Sequence, residues 1–103
     1  MGSARGRRII AEFSVHPIGE GTSVSRYVRA ALKELRKQKG LRLMVTPMAT
    51  VIEAESLSEI LQAVHRAHES LFKAGAKRAE FTLKVDDRRD KDRRMEDKVK
   101  AVS

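Results

Sequence analysis

Apolar and polar residues alternate from 9 to 15, with Ile9, Ala11, Phe13 and Val15 on one parity and Ile10, Glu12 and Ser14 on the other. A period of two predicts a strand. The next residues, His16-Pro17-Ile18-Gly19-Glu20-Gly21, break the pattern. Proline lacks a donor and glycine tolerates positive φ, so this stretch reads as a turn-rich loop. Thr22 or Ser23 then offers an N-cap. Val24, Tyr27, Val28, Ala31, Leu32 and Leu35 follow at helical spacing, the strongest local signal in the chain, and Gly40 closes that helix. Leu41, Leu43 and Val45 alternate with Arg42, Met44 and Thr46 in a second strand. Pro47 interrupts the run, and residues 48–54, carrying Thr50, Val51 and Ile52, predict a third strand in a tight hairpin with the second. Ser56-Leu57-Ser58-Glu59 has the form of a capping box. It opens a second amphipathic helix marked by Leu57, Ile60, Leu61, Val64, His68 and Leu71 and closed by Gly75. Ala79, Phe81, Leu83 and Val85 alternate with Arg78, Glu80, Thr82 and Lys84 in a fourth strand. A charge-mixed loop over 86–94 leads to a short terminal helix with Met95, Val99 and Val102 on its apolar side.

The order β-α-β-β-α-β plus a short C-terminal helix predicts an α+β protein, a ferredoxin-like sandwich with antiparallel sheet order 4-1-3-2 and both main helices on one face. If each strand turns its aliphatic parity to the helices, with Ala49 and Val51 inward, the opposite face carries Ile10, Glu12, Ser14, Arg42, Met44, Thr46, Met48, Thr50, Ile52, Glu80, Thr82 and Lys84. A solvated face is uniformly polar. Ile10 and Ile52 on the central strands, with Met44 and Met48 beside them, therefore predict that another subunit covers this side, with Ile10, Met44 and Ile52 at the interface. Scattered apolar residues on a small surface are the bland alternative. The antiparallel pairing also brings Glu12 and Ser14 near Met48 and Thr50, with Thr46 and Thr82 to either side. Hydroxyls and one carboxylate on an apolar platform suit a flat heteroaromatic ligand. The same residues read equally well as ordinary strand formers around a solvated Glu12.

Composition narrows the class. With 103 residues there is room for one small domain, read as 9–103, preceded by a 1–8 segment read as a disordered basic arm or a cloning remnant. Hydrophobic residues at 41% are too many for a disordered chain, and charged residues at 35% too many for a membrane protein. No apolar run can span a bilayer and no apolar stretch marks a secretory signal. The lack of cysteine excludes disulfides, thiolate zinc sites and cysteine nucleophiles, and fits a cytoplasmic protein. The net charge of +8 is concentrated. Arg26, Arg29, Lys33, Arg36, Lys37, Lys39 and Arg42 face Glu34 alone. On the first helix this stripe is either a solvated side or a surface that meets phosphates. Phe13 and Phe81 have core parity and Tyr27 is helical, so the aromatic pair with which RNA-binding domains of this topology stack bases is missing. His65 and His68 have no third ligand, and His16 has no serine or acid at a telling spacing, so neither a metal site nor a catalytic group is expected. The loop before the first helix lacks the lysine and spacing of a P-loop and reads as a turn and cap. Asp86, Asp87, Asp90 and Asp92 alternate with Arg88, Arg89, Lys91, Arg93 and Arg94, a pattern that favours ion pairing over a cation site.

The stretches AEFSVHPIGEGTSVSRYVRAAL, VTPMATVIEAES, AHESLFKAGAKRAEFTLKVDDRRDK and MEDKVKAV, in that order, resemble the small thiamine-binding-protein family. The resemblance rests on the Pro-x-Gly-x-Gly loop with Ser23 and Ser25, on Thr46-Pro47-Met48-x-Thr50 with Glu53, on His68-Glu69, and on residues 86–90. Ala54 departs from it, since the family usually has glycine after the glutamate. The resemblance implies homo-oligomers, usually tetramers built by pairing sheets, that bind thiamine or its aminopyrimidine moiety without catalysing a reaction. Glu12 would then meet the cation or the exocyclic amine, Ser14, Thr46 and Thr50 the ring nitrogens, and Met48 a ring face. A phosphorylated thiamine suits the basic residues better than the bare cation. The expectation is a cytoplasmic, non-enzymatic homotetramer without cofactor or metal, acting as carrier, buffer or sensor. A nucleic-acid-associated module using the basic helix and a structural oligomer or adaptor are the alternatives.

Overall fold

The computed structural model describes residues 8–103; of the 1–8 segment read as an arm, all but Arg8 lies outside the described residues. Seven elements follow in the expected order: β1 (Ile9–Pro17), α1 (Ser25–Lys37), β2 (Arg42–Val45), β3 (Thr50–Ala54), α2 (Leu57–Lys73), β4 (Ala79–Asp86) and α3 (Met95–Val102). The strands form one antiparallel sheet in the order β2-β3-β1-β4, the ferredoxin-like arrangement. Tyr27, Ala31 and Leu35 of α1, with Ile60, Ala63, Val64, Ala67 and Leu71 of α2, bury Ile9, Ala11, Phe13 and Val15 of β1. Among the described residues no helix is long and apolar enough to cross a membrane.

The two long helices begin differently. Ser56 caps α2, its hydroxyl accepting from the Glu59 N–H at 3.2 Å. Thr22 and Ser23 do not cap α1; Val24 holds the N-cap position without a side-chain bond. Tertiary contacts replace the cap. Arg26 donates to the Ala74 carbonyl at 2.9 Å and to the Tyr27 hydroxyl at 2.7 Å, and Tyr27 donates to Glu20 at 2.8 Å. The start of α1 is thereby tied to the end of α2.

A turn over residues 46–49 decides the faces of the sheet. The Thr46 N–H and hydroxyl both donate to the Ala49 carbonyl, at 2.9 and 2.8 Å, and the hydroxyl accepts from the Ala49 N–H at 3.1 Å. β3 therefore starts at Thr50, paired with Val45 on one side and Phe13 on the other, while Ile52 pairs with Leu43 and Ala11. Paired residues share a face. Thr50 and Ile52 consequently join the helix side and are 7% and 0% exposed. This corrects their expected place on the open face. Val51 and Ile52 are adjacent and both apolar, so the alternation fits either parity, and a slip of one residue exchanges the faces.

The open face carries a row Arg42, Glu53, Ile10, Asp86 and a second row Met44, Val51, Glu12, Lys84. α3 crosses the first row. The Glu53 carboxylate, 1% exposed, accepts from the Met95 N–H at 2.9 Å and lies 3.6, 3.3 and 3.7 Å from Arg8, Arg42 and Arg94. Arg42 also makes a two-pronged bond to Glu96, and Lys98 pairs with Asp86. Tethered on both sides of Ile10, the helix leaves that residue 9% exposed and Met95 5%. The isoleucines expected to need a second subunit, Ile10 and Ile52, are thus buried within one chain, Ile10 at the α3 crossing and Ile52 in the core. Met44 stays on the open face, more than a third exposed.

Glu53→Ala removes acceptors whose charge-assisted bonds are worth about 1.5–3 kcal/mol each, offset in part by rehydration of the arginines. We expect a net loss of about 2 kcal/mol in urea denaturation, with amide protection lost in α3 and kept in α1 and α2. An unchanged midpoint would show that Glu53 is not the anchor. Arg42 also pushes the Glu96 carboxyl down to about 2 from its ordinary 4.5. Because the folded value is depressed, this support is complete above about pH 4.5 and disappears as the pH falls towards 2. Protection of α3 should fade across that window, and a Glu96 that titrates at its ordinary value by NMR would contradict the pairing.

Candidate functional site

β1 outlasts β3. Their last pair is Phe13 with Thr50, so residues 14–17 continue along β4 alone while the 46–49 turn leaves a gap beside them. α1 closes the third side. The result is a cleft of about 140 Å³ at the end of the sheet. Phe13, Val15, Val28, Leu32, Leu35 and Val45 form its apolar walls, and Ser14, Thr46, Met48 and Thr50 also line it. Among the described residues no charged side chain and no histidine lines it.

Its hydroxyls are not equivalent. Thr46 is committed to its own turn, bonding both the carbonyl and the N–H of Ala49. Thr50 is buried and Ser14 half-buried, and neither side chain has a hydrogen-bond partner among the described residues. Neither oxygen is sealed from solvent, so each hydroxyl is free to donate to or accept from a ligand. Met48, 86% exposed, stands in the turn at the lip with the exposed Val45.

Four of the six predicted ligand residues, Ser14, Thr46, Met48 and Thr50, thus meet at one cleft, while Glu12 and Thr82 lie outside it. Thr82 is exposed on the open face opposite Ser14. Glu12 lines a separate shallow groove of about 230 Å³ with Ile10, Val51, Lys84, Asp86 and Lys98. The single platform expected on the open face is therefore divided. Thr50 turns to the helices, and Thr46 and Met48 belong to the turn rather than to strands, so their common surface moves to the end of the sheet. Sequence reasoning missed the α1 wall. Val28, Leu32 and Leu35 have ordinary core spacing; only the exposure of Val28 and the half-burial of Leu32 reveal the opening.

The remaining candidates take structural places. His68 packs edge-on against Phe72 and Phe81, with ring centroids 5.2 and 5.4 Å away. His16 lies 3.1 Å from Glu80. The charge-mixed loop pairs Arg88 with Asp90 at 2.7 Å and Arg89 with Asp87 at 2.9 Å. Among the described residues no group of three His, Cys, Asp or Glu side chains could hold a metal ion.

The family model described as thiamine-binding protein matches residues 11–103. A UPF0045 protein of Methanothermobacter thermautotrophicus is 47% identical over 95 residues, covering 91% of this chain and 95% of its own length. A UPF0045 protein of Methanocaldococcus jannaschii is 40% identical over 96 residues, covering 93% of each chain. A crystal structure of a hypothetical protein from Methanocaldococcus jannaschii matches with a TM-score of 0.85 at 38% identity, over 93% of this chain and 96% of that one. A Thermotoga maritima protein named for thiamine biosynthesis or salvage shares the fold, with a TM-score of 0.77 at 22% identity over 93% and 99% of the two chains. With the match running across nearly the whole folded chain, this protein belongs to the thiamine-binding-protein family.

Proposed function

We propose that the chain is a non-catalytic binding protein for thiamine or a related aminopyrimidine, and that the pyrimidine ring enters the cleft between α1 and the β2–β3 turn. The observation that carries this reading is the unpartnered Thr50 hydroxyl, on the helix side of the sheet, in a largely apolar cleft that Ser14 borders from the other parity of β1, in a chain of this family. An aminopyrimidine offers an amine donor and ring-nitrogen acceptors at its edge and an apolar face. A hydroxyl can donate or accept as the edge requires, and aliphatic walls pack on the face. The described residues that line the cleft include no acid, base or histidine, so they supply recognition and not proton transfer.

At about 140 Å³ the cleft is smaller than the 300–1,000 Å³ usual for drug-sized ligands. It suits one ring and leaves the rest of thiamine at the mouth, beside Val45 and Met48. In the same reading the chain assembles with copies of itself, a homotetramer as the family resemblance implies. The exposed Met44, Val45 and Met48 are the apolar surface that such assembly would cover.

Titration calorimetry with thiamine and with the free aminopyrimidine alcohol tests the reading. Thr50→Val keeps the shape and removes one hydrogen bond, so affinity should fall about fivefold to tenfold while the melting temperature stays close to that of the parent. Glu12→Gln should leave affinity unchanged. The reverse pattern would move the site to the open face, and no heat with either compound would reject the function.

A further inference from the structure

Most arginines among the described residues are engaged, and Arg29, Arg36, Arg78 and Arg93 make no ion pair or side-chain hydrogen bond there. Arg8, Arg42 and Arg94 gather around Glu53, Arg88 and Arg89 pair with aspartates, and Arg26 and Arg66 hold helix ends together. On α1, Arg29, Lys33 and Arg36 are exposed and make no ion pair or side-chain hydrogen bond among the described residues. They are spaced i, i+4, i+7, so neighbouring side chains on one helix face carry like charge and repel each other. The only carboxylate on α1, Glu34, lies between Lys37 at 2.9 Å and Arg66 at 3.9 Å. Nothing in the helix relieves the stripe.

Its place relative to the cleft is set by helix geometry. Leu32 lines the cleft; Arg29 is three residues before it and Arg36 four after, the two spacings that make side chains neighbours on a helix surface. The cleft is exposed on this side at Val28. Arg29 and Arg36 therefore border the mouth of a cleft that no charged side chain among the described residues lines, and Lys33, about one turn from each, stands behind them on the same stripe.

Resting on the ring-binding reading above, we propose that Arg29, Lys33 and Arg36 form a phosphate-reading rim, and that the preferred ligand is a phosphate or diphosphate ester of the ring compound rather than the free alcohol. The ring occupies the cleft and the ester reaches across Leu32 to the guanidinium forks. Arginine matches phosphate oxygens two at a time, and a mobile anion cancels the repulsion along the stripe. The phosphate also answers the difficulty that a basic chain has in holding the bare thiazolium cation.

Calorimetry on the full chain with thiamine, thiamine monophosphate, thiamine diphosphate and inorganic pyrophosphate tests this. Thiamine diphosphate should bind about tenfold or more tightly than thiamine, the monophosphate should fall between them, and the advantage should shrink as salt is added. In Arg29→Ala/Arg36→Ala the diphosphate should fall to the level of thiamine, with thiamine itself changed less than about twofold. Arg29→Lys/Arg36→Lys keeps the charge without the fork and should recover part of the preference. Equal affinity for thiamine and its esters in the parent chain would overturn the rim while leaving the ring site standing. So would a preference that survives the double alanine variant. Pyrophosphate binding as tightly as the diphosphate ester would overturn it too, since the ring would then contribute nothing. Silence with every compound would reject both the rim and the reading on which it rests.

Discussion

By closing the 46–49 turn on the Ala49 carbonyl, the Thr46 hydroxyl determines that Val45 meets Thr50. That single pairing gives every β3 residue its side of the sheet. Ile52 goes to the helices, where it is fully buried, and Glu53 goes to the opposite face, where a buried carboxylate must find cations and donors. It finds three arginines and the first N–H of α3. The turn also ends β3 early, and the space this leaves beside β1 becomes the cleft. Core, C-terminal helix and site all follow from one register.

Ionic attachment is an economical way to hold a helix as short as α3. Apart from Met95 its apolar residues are exposed, Val99 at 58% and Val102 at 87%. Eight residues are too few for a stable isolated helix, so its stability comes from what it docks on. The Glu53, Glu96 and Asp86 contacts take that role, and they bury Ile10 in doing so. An apolar residue on the open face, which sequence reasoning assigns to a second subunit, is accommodated by about 12 Å of the chain's own last helix, eight residues at about 1.5 Å of rise each.

Element order, sheet order and the faces of β1, β2 and β4 were legible because their alternation is clean: Ile9, Ala11, Phe13 and Val15 admit one reading, as do Phe81, Leu83 and Val85. β3 was not legible. In Thr50-Val51-Ile52-Glu53-Ala54 the apolar pair is adjacent, and only the turn, through the Thr46 hydroxyl, distinguishes the two parities. The start of α1 was misread for a related reason. Thr22 and Ser23 have capping chemistry, but the Arg26 and Tyr27 network with Glu20 and Ala74 fixes the helix without it, and its Arg26–Ala74 bond joins residues 48 apart in sequence. Of the site, Ser14, Thr46, Met48 and Thr50 were legible as neighbours. Their common cleft was not, because its far wall belongs to helix positions that look like core.

The same network has a mechanical consequence. α1 is bolted to α2 at both ends, by Arg26 on the Ala74 carbonyl and by Arg66 on Gln38 at 2.6 Å. The opposite wall of the cleft is a four-residue edge strand and a turn, joined to the body on one side alone. The two jaws therefore differ in stiffness. Whatever widens or narrows the cleft is therefore carried by the β2–β3 hairpin, with the helix as the fixed reference.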